Sequence, residues 1–352
     1  MNILVDIGHP ADVHYFKNLI RRLKEKNAAV VVLARDKEVT FELLHEYDIP
    51  FIKKGTGGIG FFDRVGYTMN SLGLINREIR RVKPDLCISH ASPYLAFAAA
   101  RNNIPHVMFN DTEKASFFKQ VVTRFKPDVY SPDSFLRDDI PGLRLLPSTM
   151  ELAYLHPDLF EPDHSVIEYT GETYILLRFV ANKATHDIGK NHMDVTYKRQ
   201  LVQTLSEYAM VWISSEGPLP EDLDKYRLHL PPGKIHHVIA HAQLLAGDSA
   251  TMSAEAAVLG VPSVFINDNC WGYIKELHEK YGLIHYYRNN ERERKKAFDK
   301  SITILESGNR DHYAAAREQL LSDKQNMTKI MEEIVEKTVS VHSRGGQSSS
   351  FP

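Results

Sequence analysis

The chain has 352 residues, of which 43% are hydrophobic and 25% charged, with a formal net charge of -2. That length exceeds one ordinary domain and fits two. The near-neutral balance excludes a general nucleic-acid binder, which needs a basic surplus, and no apolar run reaches the ~18 residues of a spanning helix. Two cysteines, Cys87 and Cys270, stand far apart without CxxC spacing. They predict neither a disulfide framework nor a zinc site and fit a reducing compartment. The opening "MNILVDIGHP" lacks the basic lead of a secretory leader, so a cytoplasmic protein is expected.

Short β-branched runs alternate with amphipathic stretches from the start. "NILVDIG" (2–8) reads as a buried strand, and 12–26 places Val13, Phe16, Leu19, Ile20 and Leu23 on one helical stripe. There follow a strand at 28–35, a helix at 38–47, a strand at 49–54 and a long helix within 65–82. Next come "DLCISH" (85–90), a helix within 92–102, "IPHVMFND" (104–111), another helix and "DVYSP" (128–132). This order predicts parallel βαβ units in a Rossmann-like domain over 1–150. Residues 151–172 carry two prolines and few periodic positions, and read as a linker.

The alternation resumes over 173–309 with "TYILLRFV" (173–180), a helix within 194–209, "MVWISS" (210–215), "KIHHV" (234–238) and "LLAGD" (244–248). "NNERERKK" (289–296) mixes signs and reads as a solvated helix face. A C-terminal helix is expected over 310–338, and the Ser/Gly-rich 339–352 as a flexible tail. The fold class is α/β, with two Rossmann-like parallel-sheet domains facing a central cleft.

The stretch "GDSATMSAEAAVLGVPSVFIN" (247–267) carries the most chemistry. After the strand "LLAGD", residues Ser249 to Thr251 form a turn, Ser253 to Leu259 a helix, Gly260 its C-cap and 261–266 the next strand. Helix N-terminal N–H groups without internal partners suit a diphosphate, and the small Ser249, Ala250 and Thr251 allow its close approach. Glu255, one turn in, suits the paired hydroxyls of a ribose. It equally suits the positive end of the helix.

These residues, Asp248-Ser249, Glu255-Ala256, Leu259-Gly260 and Pro262, resemble the donor-site motif of GT-B nucleotide-sugar enzymes. Among them are the UDP-N-acetylglucosamine 2-epimerases and the N-acetylglucosaminyltransferase that makes lipid II. The resemblance implies a diphosphate held by Ser249, Ala250, Thr251 and Met252 and a ribose held by Glu255. From "DIGHPADVHYFKNLI" through "FNDTEKA", "MELAYLHP" and "RFVANKATHD" to residue 285, the chain more closely resembles the GT-B-like domain-of-unknown-function family 354.

Other residues complete the candidate site. In "GHPADVHYF" (8–16), His14 or His9 suits a general base toward an acceptor hydroxyl, while Asp12 as N-cap and a packed His14 form the alternative. In "FNDTEKA" (109–115), Asp111 or Glu113 suits orienting the acceptor or polarising a histidine. The alternative is a helix cap made by Asp111 and Thr112. Arg178, at a strand end, offers a planar fork to phosphate oxygens, and Asn182 follows at the epimerases' R-x-x-x-N spacing. The loop 237–239, with Val238 at its centre, stands where related transferases read a nucleobase through backbone groups. "HDIGKNHMD" (186–194) is read as loop polarity, and no metal is expected. "GTGGIGFFDR" (55–64) is read as a cleft loop. "FFKQVVTRFK" (117–126) suits either peripheral contact with the inner membrane face or a core-facing helix.

The expected function is therefore a metal-independent GT-B glycosyltransferase with no cofactor beyond its substrate. It would move a sugar from a nucleoside diphosphate-sugar, UDP-linked by resemblance, to a glycan or lipid-linked acceptor in surface polysaccharide or glycolipid biosynthesis. A nucleotide-sugar 2-epimerase is the alternative, weakened because the epimerases' aspartate after the fourth strand is replaced by "SHASP" (89–93). A nucleotide-sugar binding protein without turnover is the third reading.

Overall fold

The computed structural model describes residues 1–57, 60–113, 117–180 and 193–345. The chain divides into two compact units, residues 1–159 with 325–352 and residues 160–324. The first runs β1 (Asn2–Ile7), α1 (Pro10–Glu25), β2 (Ala29–Asp36), α2 (Thr40–Glu46), β3 (Phe51–Thr56), α3 (Phe61–Val82), β4 (Leu86–His90), α4 (Pro93–Arg101), β5 (His106–Phe109), α5 (Phe118–Phe125), β6 (Asp128–Pro132) and β7 (Arg144–Leu146). Among the described residues these strands form one parallel sheet in the order β3-β2-β1-β4-β5-β6-β7.

Helix α1 shows why this layer holds. Val13, Phe16, Leu19, Ile20 and Leu23 recur at helical spacing and are at most 1% exposed. Each such side chain contributes roughly 1.5–3 kcal/mol on burial. The helix starts with His9, not Asp12: the His9 side chain caps the Ala11 N–H, and Asp12 at the third position closes a capping box. In α5, Phe118, Val121 and Val122 are buried in a cluster with Met108 and Val129, so the core-facing reading of 117–126 describes this helix.

A buried ion pair ties three elements of this sheet together. Lys54 of β3 meets Asp6 of β1, and Ser92, the N-cap of α4, donates to the other Asp6 oxygen at 2.6 Å. Removing one partner of such a pair strands a charge in the interior.

The second unit runs α6 (Ile167–Thr170), β8 (Tyr174–Phe179), α7 (Val195–Leu205), β9 (Met210–Ser215), α8 (Glu221–Asp224), α9 (Ile235–His241), β10 (Leu244–Gly247), α10 (Ala250–Val258), β11 (Ser263–Ile266), α11 (Gly272–Glu279), β12 (Ile284–Tyr287), α12 (Glu291–Ser307) and α13 (Arg310–Asp323). Its described strands form a second parallel sheet, ordered β12-β11-β10-β8-β9. The run 234–238, expected as a strand, opens helix α9 instead. Its buried residues His236, Val238 and Ile239 follow helical spacing, and a short β-branched run does not reveal its period.

The C-terminal helix expected over 310–338 is two helices. Helix α13 stops at Lys324, which is extended (φ -116°, ψ 144°), and α14 (Met327–Gly345) begins three residues later. The chain re-enters the first unit here. Met327, Met331 and Val335 are fully buried, Thr328 donates to the Ala153 carbonyl at 2.7 Å, and Ser148 donates to the Gln325 carbonyl at 2.6 Å. The same helix runs to Gly345, into the segment expected as a tail. No described helix is long and apolar enough to cross a membrane.

Candidate functional site

Each sheet reverses its strand order at one place, and in open parallel sheets ligands bind beyond the carboxyl ends of strands at such a switch point. In the first unit the reversal lies between β1 and β4. His90, the last residue of β4, sits there between two carboxylates. Its Nδ1 lies 3.3 Å from Asp12 Oδ1 and its Nε2 3.1 Å from Asp111 Oδ1. Carboxylates only accept, so both ring nitrogens donate and the ring is an imidazolium. Burial alone would lower the His90 pKa, but Asp111 and Asp12 outweigh it and raise it to about 10.

The two acids are further saturated. Tyr15 donates to Asp111 Oδ2 at 2.9 Å, and Thr112 to Asp111 Oδ1 at 3.0 Å. The Gly8 and His9 N–H groups donate to Asp12 Oδ2 at 2.8 and 3.1 Å. Burial opposes ionisation of Asp111, yet the His90 charge and these donors hold its carboxyl below the usual range. Asp111 therefore polarises His90. Among the described residues it caps no helix, α5 beginning at Phe118, and Asn110 turns this loop by accepting the Thr112 N–H at 3.2 Å.

Three expected catalytic residues lie elsewhere in this unit's contacts. His14 is 7% exposed; its Nδ1 is 3.3 Å from the Tyr47 hydroxyl, and its ring stacks on Tyr154 at 5.3 Å. A ring so packed has little room to meet an acceptor hydroxyl. His9 is exposed, but its Nδ1 accepts the Ala11 N–H at 3.2 Å, which in the neutral ring leaves the proton on Nε2. In that form the lone pair is occupied by the Ala11 N–H and Nε2 presents a proton. Glu113 accepts from the Leu136 N–H at 3.3 Å, and its carbonyl accepts from Arg137 at 3.1 Å, so it anchors the 136–137 loop.

In the second unit the reversal lies between β8 and β10. There Arg178 of β8 and Gly247 of β10 are register partners. A Cβ on Gly247 would stand 2.0 Å from the Arg178 carbonyl oxygen, so only glycine permits this strand spacing. Asp248 follows and accepts the Val180 N–H at 2.8 Å. Burial raises its pKa.

Helix α10 then starts beside the strand ends. Ser249 is the N-cap, accepting the Met252 N–H at 3.4 Å, and the first backbone bond of the helix runs from the Ser253 N–H to the Ser249 carbonyl. The N–H groups of Ala250 and Thr251 precede that bond and lie in the first turn, where a helix favours an anion. Ala250 and Thr251 are half-buried and Met252 is buried. The helix ends at Gly260 (φ +79°), whose N–H bonds the Ala257 carbonyl at 3.0 Å.

Glu255 is 4% exposed, and its Oε1 lies 3.0 Å from His236 Nε2 of α9. The expected ribose ligand is thus joined to a buried histidine that sequence reasoning did not pick out. Only the fold reveals it, since 19 residues separate the two. Val238 is fully buried and its carbonyl accepts the Tyr174 hydroxyl at 2.5 Å. The 237–239 backbone is therefore helical, not the loop expected, and its Val238 carbonyl is engaged.

Arg178 is partnered as well. Its Nη1 donates to Ser214 Oγ at 2.9 Å and its Nη2 to the Glu216 carboxylate. Asn182 and most of 186–194 lie outside the described residues, as does part of 55–64.

An uncharacterised protein of Methanocaldococcus jannaschii, MJ0665, is 23% identical over 308 residues, covering 81% of this chain and 87% of its own length. The UDP-GlcNAc 2-epimerase of Neisseria meningitidis bound to UDP-GlcNAc superposes with a TM-score of 0.65 at 12% identity, covering 96% of this chain and 99% of that one. The glycosyltransferase VinC in complex with dTDP gives 0.64 at 12% identity, covering 98% and 100%. At these identities the likeness shows the fold, which is of the GT-B type. The model of the protein of unknown function family (DUF354) matches residues 1–335, and the chain belongs to that family.

Proposed function

We propose that this chain is a nucleotide-sugar-dependent glycosyltransferase whose donor diphosphate rests at the second unit's switch point. The observation that carries the reading is the joining there of Arg178, the β10 turn and the start of α10. In this proposal the Ala250 and Thr251 N–H groups face the diphosphate, and Arg178 supplies the positive charge that the departing diphosphate needs. Glu255, oriented by His236, holds the ribose from below. No metal is required by this arrangement of charge. The proposal gives His14 no chemical role, because its ring is packed. A surface glycan or lipid-linked acceptor rests on analogy of fold.

A 2-epimerase is the second reading, favoured by the likeness to the Neisseria enzyme. Against it stands the end of β4, where Ser89, His90, Ala91 and Ser92 offer no acid. Calorimetry with UDP, dTDP and GDP, followed by product analysis on the matching sugar nucleotides, tests both. Release of nucleoside diphosphate that depends on an acceptor supports transfer, and appearance of the 2-epimer replaces it. Tight binding with neither product leaves a binding protein.

The Thr251→Glu variant isolates the diphosphate site. A carboxylate in the first turn of α10 favours the helix itself, so melting should not fall. Nucleoside diphosphate affinity should drop at least roughly tenfold through like-charge repulsion. Unchanged affinity would move the diphosphate away from this helix.

A further inference from the structure

The Arg178 guanidinium does not face the helix start unencumbered. Side chains along a strand alternate in direction, so Tyr174, Leu176 and Arg178 share one sheet face. Tyr174 and Leu176 belong to the buried cluster that includes Met252 and Ala256 of α10. Arg178 is therefore the last residue of the row that α10 covers. Ser214, its register partner on β9, shares that face and accepts from Nη1 at 2.9 Å. Glu216, just past the end of β9, takes Nη2. The Arg178 Nε is buried and has no partner among the described residues.

We infer that Glu216 is a built-in competitor for the diphosphate, holding Arg178 until the donor displaces it. This rests on the donor site proposed above. A guanidinium binds a carboxylate and a phosphate through the same planar fork. Two anions at one cation repel each other, so binding the second weakens the hold on the first. The geometry favours exchange over a static prop, because the two arms of the fork have unequal partners. Nη1 is held by a neutral hydroxyl and Nη2 by a carboxylate, so Glu216 is the anion that balances the delocalised charge and Ser214 is not. The side chains are 17% exposed for Arg178 and 25% for Glu216, so solvent reaches both and the pair can open without unfolding the sheet. With the donor bound, Arg178 keeps Ser214 and turns its charge to the diphosphate. When the product leaves, Glu216 reclaims the arginine, which favours release.

The Glu216→Gln variant keeps the shape and removes the competing charge. Calorimetry with UDP, dTDP and GDP should show affinity rising roughly fivefold for whichever base binds, the scale of a partly exposed ion pair. Relative to Arg178→Gln alone, Arg178→Gln/Glu216→Gln should show no gain. Wild-type binding with unchanged or weaker affinity in Glu216→Gln overturns the exchange and leaves the donor site standing. A gain that persists without Arg178 also overturns it, reducing Glu216 to a general repulsive charge. If no nucleoside diphosphate binds either protein, the donor site fails and the exchange falls with it.

Discussion

Replacing His90 by alanine is expected to destabilise the first unit by about 3 kcal/mol, the lower end for breaking a buried ion pair, because the imidazole is 15% exposed. The cause is what remains. Asp12 and Asp111 stay at the switch point, with 3% and 10% of their side chains exposed, and lose the cation between them. Asp12 lies in the first turn of α1 and Asp111 in the loop after β5, so the damage falls at the carboxyl ends of the strands and not on the apolar layer. The effect should depend on pH in a defined direction. The folded His90 pKa is raised to about 10 from an ordinary 6.5, so the folded state binds the proton more tightly. The stabilisation is complete below about 6.5, declines above it, and is gone once pH passes about 10. Urea unfolding of the wild type and His90→Ala at several pH values checks this. Converging curves toward pH 10 are expected, and a constant gap would mean that His90 is neutral in the folded protein.

A methyl group on Gly247 should be nearly as damaging for a different reason. In Gly247→Ala the new Cβ meets the Arg178 carbonyl oxygen at 2.0 Å, its carbon at 2.9 Å and its nitrogen at 3.0 Å. All three are backbone atoms of the neighbouring strand, so no side chain can swing away. The β8 and β10 strands must separate, at a cost of about 3 kcal/mol, the upper end for overpacking. The same separation shifts Arg178 relative to α10, so nucleoside diphosphate affinity should fall along with stability. Gly66→Ala is the control. Its Cβ would meet nothing within 4 Å in the interior of α3, and thermal melting should be unchanged or slightly improved. A wild-type midpoint for Gly247→Ala would show that the strands are not so closely joined.

The parallel architecture was legible because buried strands and amphipathic helices announce themselves by period. "MVWISS" is the strand β9 at its expected bounds, and the stripe from Val13 to Leu23 is the buried face of α1. The α10 region was legible too, because a strand, a small-residue turn with Ser249 and a glycine stop are each local signals. Where a run was too short to show its period, as at 234–238, a strand was expected and a helix formed.

What the sequence by itself determined is thus the alternation of elements, the parallel sheets and the turn before α10, all properties of neighbouring residues. The tertiary structure alone decided which side chains meet. His90 lies 78 residues after Asp12 and 21 before Asp111, Glu216 lies 38 after Arg178, and Glu255 lies 19 after His236. A local pattern holds no information on such pairs, because sheet order and helix packing set their distances. Contacts with Tyr47 and Tyr154, likewise distant in sequence, turned His14 from a proposed base into a packed ring. The pairing with Asp12 and Asp111 made His90 the charged centre of the first switch point.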